Sequence, residues 1–328
     1  MENNTFNMQD LLPPLVQIKI RSGLDRYGFS HVLSKRVGLS HVPRSFADWV
    51  HGWAWWSEHS SELQGCSKIN KQNKIIVTNE SERIAFNNEG FINVISGGLP
   101  FAYIPQQHTQ RNEYALLAYP SHSAEAEKML TDASDYFDYL EAIKKDFDGI
   151  YVSIYSLDWN GPIHTAALKR GLNVIEGANP SDANGLLRVR SILDSFSQVT
   201  SNSMGSHMLY ALYAGCKFSF CGPYYSHDES VFLCNGNWHG HTMQYIEKCR
   251  MYMSELYVRS NFDKFFLNHP NLGISDLEFS KIAIGEANIL DDNQLLDVLG
   301  WTVVGQISGY INGGVRRIFR SISNSNDL

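Results

Sequence analysis

Between residues 114 and 220 the apolar positions fall in short runs that alternate with segments of helical period. Tyr114 to Ala118 reads as a strand and Tyr119-Pro120-Ser121-His122-Ser123 as a loop. Ala124 to Leu130 and Asp135 to Asp146 read as helices. Gly149 to Tyr155 is an apolar strand, Pro162 to Arg170 a helix stopped by Gly171, Leu172 to Ile175 a strand and Gly185 to Phe196 a helix. A last unit runs from strand Gln198 to Thr200 through helix 206–214 to strand Lys217 to Phe220. Strand and helix in strict alternation are the pattern of an open, doubly wound parallel sheet. A shorter version precedes it: strand Ile75 to Thr78, helix Ser81 to Asn88 ended by Glu89-Gly90, strand Ile92 to Ile95, loop Gly97-Gly98-Leu99-Pro100. Residues 1–17 read as a loose arm broken by Pro13-Pro14, and the chain beyond about 240 as mostly helical. No internal repeat is visible.

This grammar predicts an α/β fold. Its boundaries are an α/β domain at 1–110, a Rossmann-like domain at 111–240 and a helical segment at 241–328 that packs back across a cleft. Ligands of such sheets bind beyond the carboxyl ends of the strands. The loops at 119–123, 156–161, 176–182 and 200–206 all follow strands, so they are expected to line one crevice.

Composition narrows the class. A chain of 328 residues fits two domains of about 100–200 residues each. With 43% hydrophobic and 19% charged residues it folds rather than staying disordered. A net charge of −7 argues against a nucleic-acid partner. The five cysteines, Cys66, Cys216, Cys221, Cys234 and Cys249, form no CxxC pair and read as reduced thiols, with Cys216 and Cys221 as core residues flanking a strand. Without an apolar leader or a spanning stretch, the expected location is the cytoplasm, with peripheral membrane contact left open.

The run Thr200-Ser201-Asn202-Ser203-Met204-Gly205-Ser206-His207 carries the clearest chemistry. A strand, a small-residue turn and a helix start leave backbone N–H groups and hydroxyls at the positive end of a helix dipole, which suits a phosphate. The plain alternative is a capped helix with no ligand. His122, in the loop after another predicted strand, is placed to donate to a phosphate; a surface or packing role is its alternative. In Asp48-Trp49-Val50-His51-Gly52-Trp53-Ala54-Trp55-Trp56, four tryptophans fall within eight residues. Such a segment is either a hydrophobic cluster or an aromatic platform for a sugar, Trp53 and Trp55, with His51 or Asp48 as general base. His239 and His241 have metal-ligand spacing but no partner ligands, so no metal and no other cofactor is expected. GxSxG, HExxH and Walker elements are absent from the sequence.

Taken in order, the HGW segment, Asn93 to Tyr103, Ala118 to Ser123, and Ser201 to Gly215 with Gly222-Pro223-Tyr224-Tyr225 resemble GT-B glycosyltransferase-like proteins of bacterial capsule and O-antigen biosynthesis. The later part is also similar to the Kdo- and sialic-acid-transferring branch. The resemblance covers roughly 50–230. It implies two Rossmann-like domains facing a cleft and metal-independent, inverting transfer from a nucleotide sugar, CMP-linked for preference, to a glycan or lipid-linked acceptor. It places His122, Ser201, Asn202, Ser203, Gly205, Ser206 and His207 around the donor. Two departures stand out. The order is Pro120-Ser121-His122 rather than His-Pro, and Ser206-His207 stands where many relatives carry an acid toward a ribose. A CDP-glycerol-type glycerophosphotransferase and a non-catalytic binding protein on the same scaffold are the alternatives. The segment Gly313 to Arg320 is basic and apolar. Through Arg316, Arg317 and Arg320 it either touches an anionic membrane or packs as a terminal helix.

Overall fold

The computed structural model describes residues 8–56, 59–107, 110–123, 133–226 and 242–311. The helix expected at Ala124 to Leu130, together with Cys234, His239, His241, Arg316, Arg317 and Arg320, lies outside the described residues.

In chain order the elements are α1 (Phe29–Arg36), β1 (Ala47–Trp49), β2 (Lys74–Val77), α2 (Glu80–Asn88), β3 (Asn93–Ser96), β4 (Asn112–Tyr119), α3 (Ser134–Ala142), β5 (Gly149–Ile154), α4 (Pro162–Lys169), β6 (Asn173–Glu176), α5 (Gly185–Asp194), β7 (Phe196–Ser201), α6 (Ser206–Tyr213), β8 (Lys217–Phe220), α7 (Met243–Met253), α8 (Glu255–Phe262), α9 (Leu277–Ile284) and α10 (Asp292–Val298). The residues at 303–311 form a further helix, α11. The strands make two parallel sheets, ordered β1-β2-β3 and β6-β5-β4-β7-β8. The mixed α/β class with parallel sheets is therefore as the sequence predicts.

The larger sheet begins at β4 in its middle, runs outward to β6, then returns to the other side of β4 with β7 and β8. Strand order reverses between β4 and β7, which opens a crevice at their carboxyl ends. The central strands are buried on both faces: β4 carries the apolar run Ala115 to Ala118 and β5 the run Ile150 to Val152. Leu116 and Ala118 of β4 join a cluster with Tyr136, Phe137 and Leu140 of α3 and Ile163 and Ala167 of α4. Ala115 and Leu117 face the other way, onto a cluster with Ile192 and Leu193 of α5 and Leu209 and Leu212 of α6. That second cluster also contains Ala47, Trp49 and Ile76 of the smaller sheet, so one apolar core links the two. The opposite face of the small sheet packs Ile75, Val77 and Val94 against Phe86 of α2.

Two segments tie the sheets further. Near the amino terminus, Gln17 bridges Asp182, Ile18 N donates to Ser181 O, and Tyr27 N donates to Pro180 O, so this stretch lies on the loop after β6. Arg188 Nη1 reaches Pro13 O and Asn184 Nδ2 reaches Pro14 O. Pro13-Pro14 thus sits in a docked segment rather than a loose arm. Near the carboxyl terminus, residues 266 and 274 bridge β8 and cover its open edge. The chain then returns to the small sheet, where Leu99 N donates to Ile284 O and Phe46 N to Leu299 O.

Several elements differ from expectation. β1 and α1 have no counterpart among the predicted elements. β1 is three residues long, too short to display a period, and α1 (FSHVLSKR) mixes polar and apolar positions about evenly. The helix expected over Asp135 to Asp146 stops at Ala142, continues as a 3₁₀ turn at Lys144–Asp146 and leaves Ile143 with φ −96° and ψ 2° between them. No described helix is long and apolar enough to cross a membrane.

Candidate functional site

The loops expected to line one crevice are joined by hydrogen bonds at the strand-order reversal. Ser121 N donates to Asn202 Oδ1 at 2.9 Å, linking the loops after β4 and β7. Ser123 N and Oγ both donate to the buried carboxylate of Asp158, at 2.8 and 2.7 Å, linking the loops after β4 and β5. Ser156 N donates to Ala178 O, linking the loops after β5 and β6.

Within this frame the serine-rich run is bonded to itself. Ser201 is fully buried; its hydroxyl lies 2.8 Å from Tyr119 O and 2.9 Å from Ser203 O, and it accepts from Ser203 N. His207 Nε2 lies 2.9 Å from Ser201 Oγ and 3.1 Å from Ser203 O. A carbonyl only accepts, so Nε2 carries the proton. Ser203 and Asn202 are buried, and Asn202 Oδ1 is taken by Ser121. Ser206 Oγ accepts from Trp53 N at 2.9 Å. These side chains shape the turn, and the groups left for an anion are the backbone amides that open α6. The first turn of a helix has no internal acceptors, and Gly205, extended at φ 176°, leads into Ser206 and His207.

His207 stacks on Tyr119 with ring centroids 5.2 Å apart, and burial pushes its imidazole down to about 3, with His122 adding in the same direction. The unfolded chain therefore binds a proton here that the folded chain refuses. Stability is complete above about pH 6.5, the ordinary histidine value, and falls as pH drops toward 3. Thermal midpoints are expected to decline across that interval in wild type and to decline less in His207→Gln; equal slopes would contradict this assignment.

His122 is exposed at the crevice mouth. Its Nδ1 lies 2.7 Å from Ser123 O, which makes Nδ1 the protonated nitrogen and leaves Nε2 outward, and its ring is 4.7 Å from Tyr155. The Tyr155 hydroxyl is 3.2 Å from that of Tyr27. Tyr27 holds a left-handed backbone, φ 56°, rare for an aromatic residue, and its ring meets His51 edge-on at 6.3 Å.

His51 follows β1, the strand that carries Asp48. Tyr210 of α6 donates its hydroxyl to His51 O at 3.0 Å, and Ser206 holds the next turn, so the small sheet's loop is fastened to the start of α6. A Cβ placed on Gly23 would lie 3.5 Å from Asp48 Oδ1 and 3.6 Å from His51 Nε2, so both side chains converge on that backbone. Burial pushes His51 down to about 4, against a smaller opposing contribution from the Gly23 backbone, and pushes Asp48 up. His51 Nε2 is enclosed and has no hydrogen-bond partner. Ser206→Ala leaves Trp53 N unpaired and is expected to cost about 1–2 kcal/mol in urea unfolding. An unchanged midpoint would show that this tether does not hold.

The tryptophan segment is a packing cluster. Trp53 is only 6% exposed, with its ring among Trp55, Phe262 and Phe279. Trp55 Nε1 donates to Tyr252 O, and Trp56 stacks on Tyr252. The expected open sugar platform at Trp53 and Trp55 is corrected accordingly: the rings seat the carboxyl-terminal helices, whose aromatic partners lie about 200 residues away in the sequence.

Sequence reasoning did not single out Tyr27, Tyr155 or Asp158, nor a cavity of about 280 Å³ lined by Ser201, Asn202, Gly222, Tyr224, Arg259 and Phe266 among others. Arg259 lies over the Phe266 ring at 4.0 Å and pairs with Glu255 at 2.7 Å. No local pattern announces these residues, because they come together from segments far apart in the sequence: the stretch before α1, the loop after β5, the turn after β8 and α8.

No protein-family profile matches the sequence, and no curated protein matches it. Solved structures that superpose on the chain include TarM, with a TM-score of 0.33 and 15% identity over 82% of this chain and 52% of TarM. A TarM variant of S. aureus in complex with fondaparinux, α-GlcNAc-glycerol and UDP gives 0.31 and 14% over 86% and 53%. S. aureus MnaA with UDP gives 0.33 and 11% over 88% of each chain. The chain spans about half the length of TarM. At these scores the superpositions carry no argument about chemistry, which rests on the loops and strand order described above.

Proposed function

We propose that this chain is a glycosyltransferase that moves a sugar from a nucleotide-sugar donor to a glycan or lipid-linked acceptor. The observation that carries the reading is the meeting of two loop sets. The loops after β4 and β7 enclose the strand-order reversal of one parallel sheet, and the loop after β1 of the other sheet is fastened to the same helix start. A donor held on one sheet and a base supplied from the other is the arrangement such a transfer needs.

In the proposed reaction His51 takes the proton of an acceptor hydroxyl, with Asp48 as the alternative base; Nε2 is enclosed beside the Gly23 backbone, so the acceptor reaches it only when that segment moves aside. The acceptor oxygen attacks the anomeric carbon as the bond to the donor phosphate breaks, and inversion follows from direct displacement. The departing phosphate accepts from the amides of Gly205, Ser206 and His207, with His122 in the adjoining loop after β4 as a further donor. No step calls for a metal or another cofactor. Since the hydroxyls of Ser201 and Ser206 already serve the protein, the backbone amides, with the Ser203 hydroxyl beside them, carry donor affinity. The two-domain division and the CMP-linked donor of surface-polysaccharide synthesis follow from the sequence resemblance and belong to this proposal, as does action at the cytoplasmic side.

Turnover assays across UDP-, GDP-, CMP- and CDP-linked donors test it. Sugar transfer or donor hydrolysis with one nucleotide class supports the proposal. Activity confined to CDP-glycerol passes the reading to glycerophosphate transfer, and binding without turnover passes it to a non-catalytic protein.

A further inference from the structure

The cavity of about 280 Å³ lies on the β8 side of the serine-rich turn, between the carboxyl ends of β7 and β8, the helix α8 and residues 266–268. Tyr224 walls it off from the turn, its hydroxyl accepting from Met204 N at 3.1 Å. Asn202 faces both ways. It is 4% exposed, and its Oδ1 accepts from Ser121 N in the crevice, while its Nδ2 has no partner among the described residues. On α8, Arg259 Nε and Nη2 both donate to one oxygen, Glu255 Oε1, at 3.3 and 2.7 Å. Glu255 Oε2 and Arg259 Nη1 are left side by side as an acceptor and a donor. The side-chain amide of Asn268, exposed at the rim, is also unpaired among the described residues.

These groups select a ligand chemistry by exclusion. An anion is disfavoured, because the Glu255 carboxylate neutralises Arg259 and itself repels negative charge. A nucleobase needs an open aromatic face. Here Arg259 covers Phe266 at 4.0 Å, and the rings of Phe220, Tyr224 and Phe266 pack on one another with centroids 4.8, 5.7 and 5.9 Å apart, so they build the wall rather than a stacking platform. An apolar ligand would strand the Glu255 oxygen and the Asn202 amide without partners. A neutral polyol meets every requirement, since each hydroxyl both donates and accepts, and neighbouring hydroxyls on one ring can span the adjacent acceptor and donor of α8. The volume lies at the small end of ligand pockets and suits a single ring.

We propose that the cavity between β8 and α8 is a binding site for one neutral sugar ring, separate from the phosphate position at the start of α6 and held by Glu255, Arg259, Asn202 and Asn268. The site does not depend on the glycosyl-transfer reading, and its test uses no turnover.

Saturation-transfer NMR on the full chain tests it, with the methyl glycosides of glucose, galactose, mannose and N-acetylglucosamine at millimolar concentration and with uridine and inorganic phosphate as controls. At least one glycoside is expected to bind, equally well with and without millimolar UDP, and neither control is expected to depend on Glu255. Glu255→Ala is expected to weaken the glycoside about ten-fold while keeping the wild-type thermal midpoint. Should that variant disturb the fold, Asn268→Ala, which breaks no printed-in-place bond of the protein, is expected to weaken it about five-fold. No glycoside bound, binding unchanged in these variants, displacement of the glycoside by UDP, or uridine or phosphate binding that Glu255→Ala abolishes would each overturn the proposal. A chain that binds a glycoside here but no nucleotide would refute the donor position at α6 and leave this site standing.

Discussion

His51→Asn is expected to lower turnover by at least about 10²-fold, the usual contribution of a positioned base, while leaving the fold intact. The stability half of that expectation follows from the environment. The Tyr210 hydroxyl bonds to the His51 backbone rather than to its ring, so the tether between the loop after β1 and α6 survives the substitution, and asparagine keeps a donor beside the Gly23 backbone. A loss of activity with an unchanged thermal midpoint therefore isolates the chemistry. The pH profile adds a signature. Burial holds this imidazole near 4, so it stays neutral through the whole neutral range and the acid limb of kcat/KM is expected near pH 4. An acid limb near 6.5 would transfer the role to a histidine in an ordinary environment, and near-normal turnover in His51→Asn would remove the assignment altogether.

Gly28→Ala is expected to be the most damaging glycine-to-alanine change among the described residues. Gly28 has φ +74°, and a Cβ there would stand 1.9 Å from Ala183 O and 2.2 Å from the Ala183 carbonyl carbon. Both obstacles are backbone, so no side chain can swing away. The expected cost is about 3 kcal/mol, from the left-handed backbone and the forced separation together. Gly38 provides the control: it has the same φ of +74° with nothing within 4 Å of its Cβ position, so Gly38→Ala pays only for the backbone, about 1 kcal/mol. Equal losses in urea unfolding for the two variants would show that the approach of Gly28 to Ala183 does not matter. The effect reaches the site as well. Gly28 anchors the stretch that holds Tyr27 against Tyr155 and Gly23 beneath Asp48 and His51, so Gly28→Ala should reduce turnover even where the protein remains folded.

How far the site could be read from the sequence follows from which interactions are local. The larger sheet was legible because its central strands β4 and β5 carry apolar runs and all its strands are separated by turn residues and helical segments, and its four crevice loops were legible because they follow those strands. The position of His207 beside the Ser201 turn is equally local. The internal bonding of that turn was not, since Tyr119 and Ser121 enter from a strand about 80 residues earlier and consume the hydroxyl and amide groups that composition alone leaves open. Trp53 illustrates the same limit. An aromatic-rich segment looks identical in sequence whether its rings face solvent or a core, and Phe262 and Phe279 decide the matter from the far end of the chain. Tyr27 was invisible because its importance lies in a backbone angle and a distant hydroxyl partner, neither of which a residue pattern encodes.

The central claim is that the start of α6, at the reversal between β4 and β7, receives the phosphate of a sugar nucleotide. The most direct measurement is a crystal structure of the chain soaked in turn with UDP, GDP, CDP and CMP. The account predicts one of them bound with phosphate oxygens about 3 Å from the amides of Gly205, Ser206 and His207. A nucleotide bound away from these amides, or none bound at millimolar concentration, would contradict it.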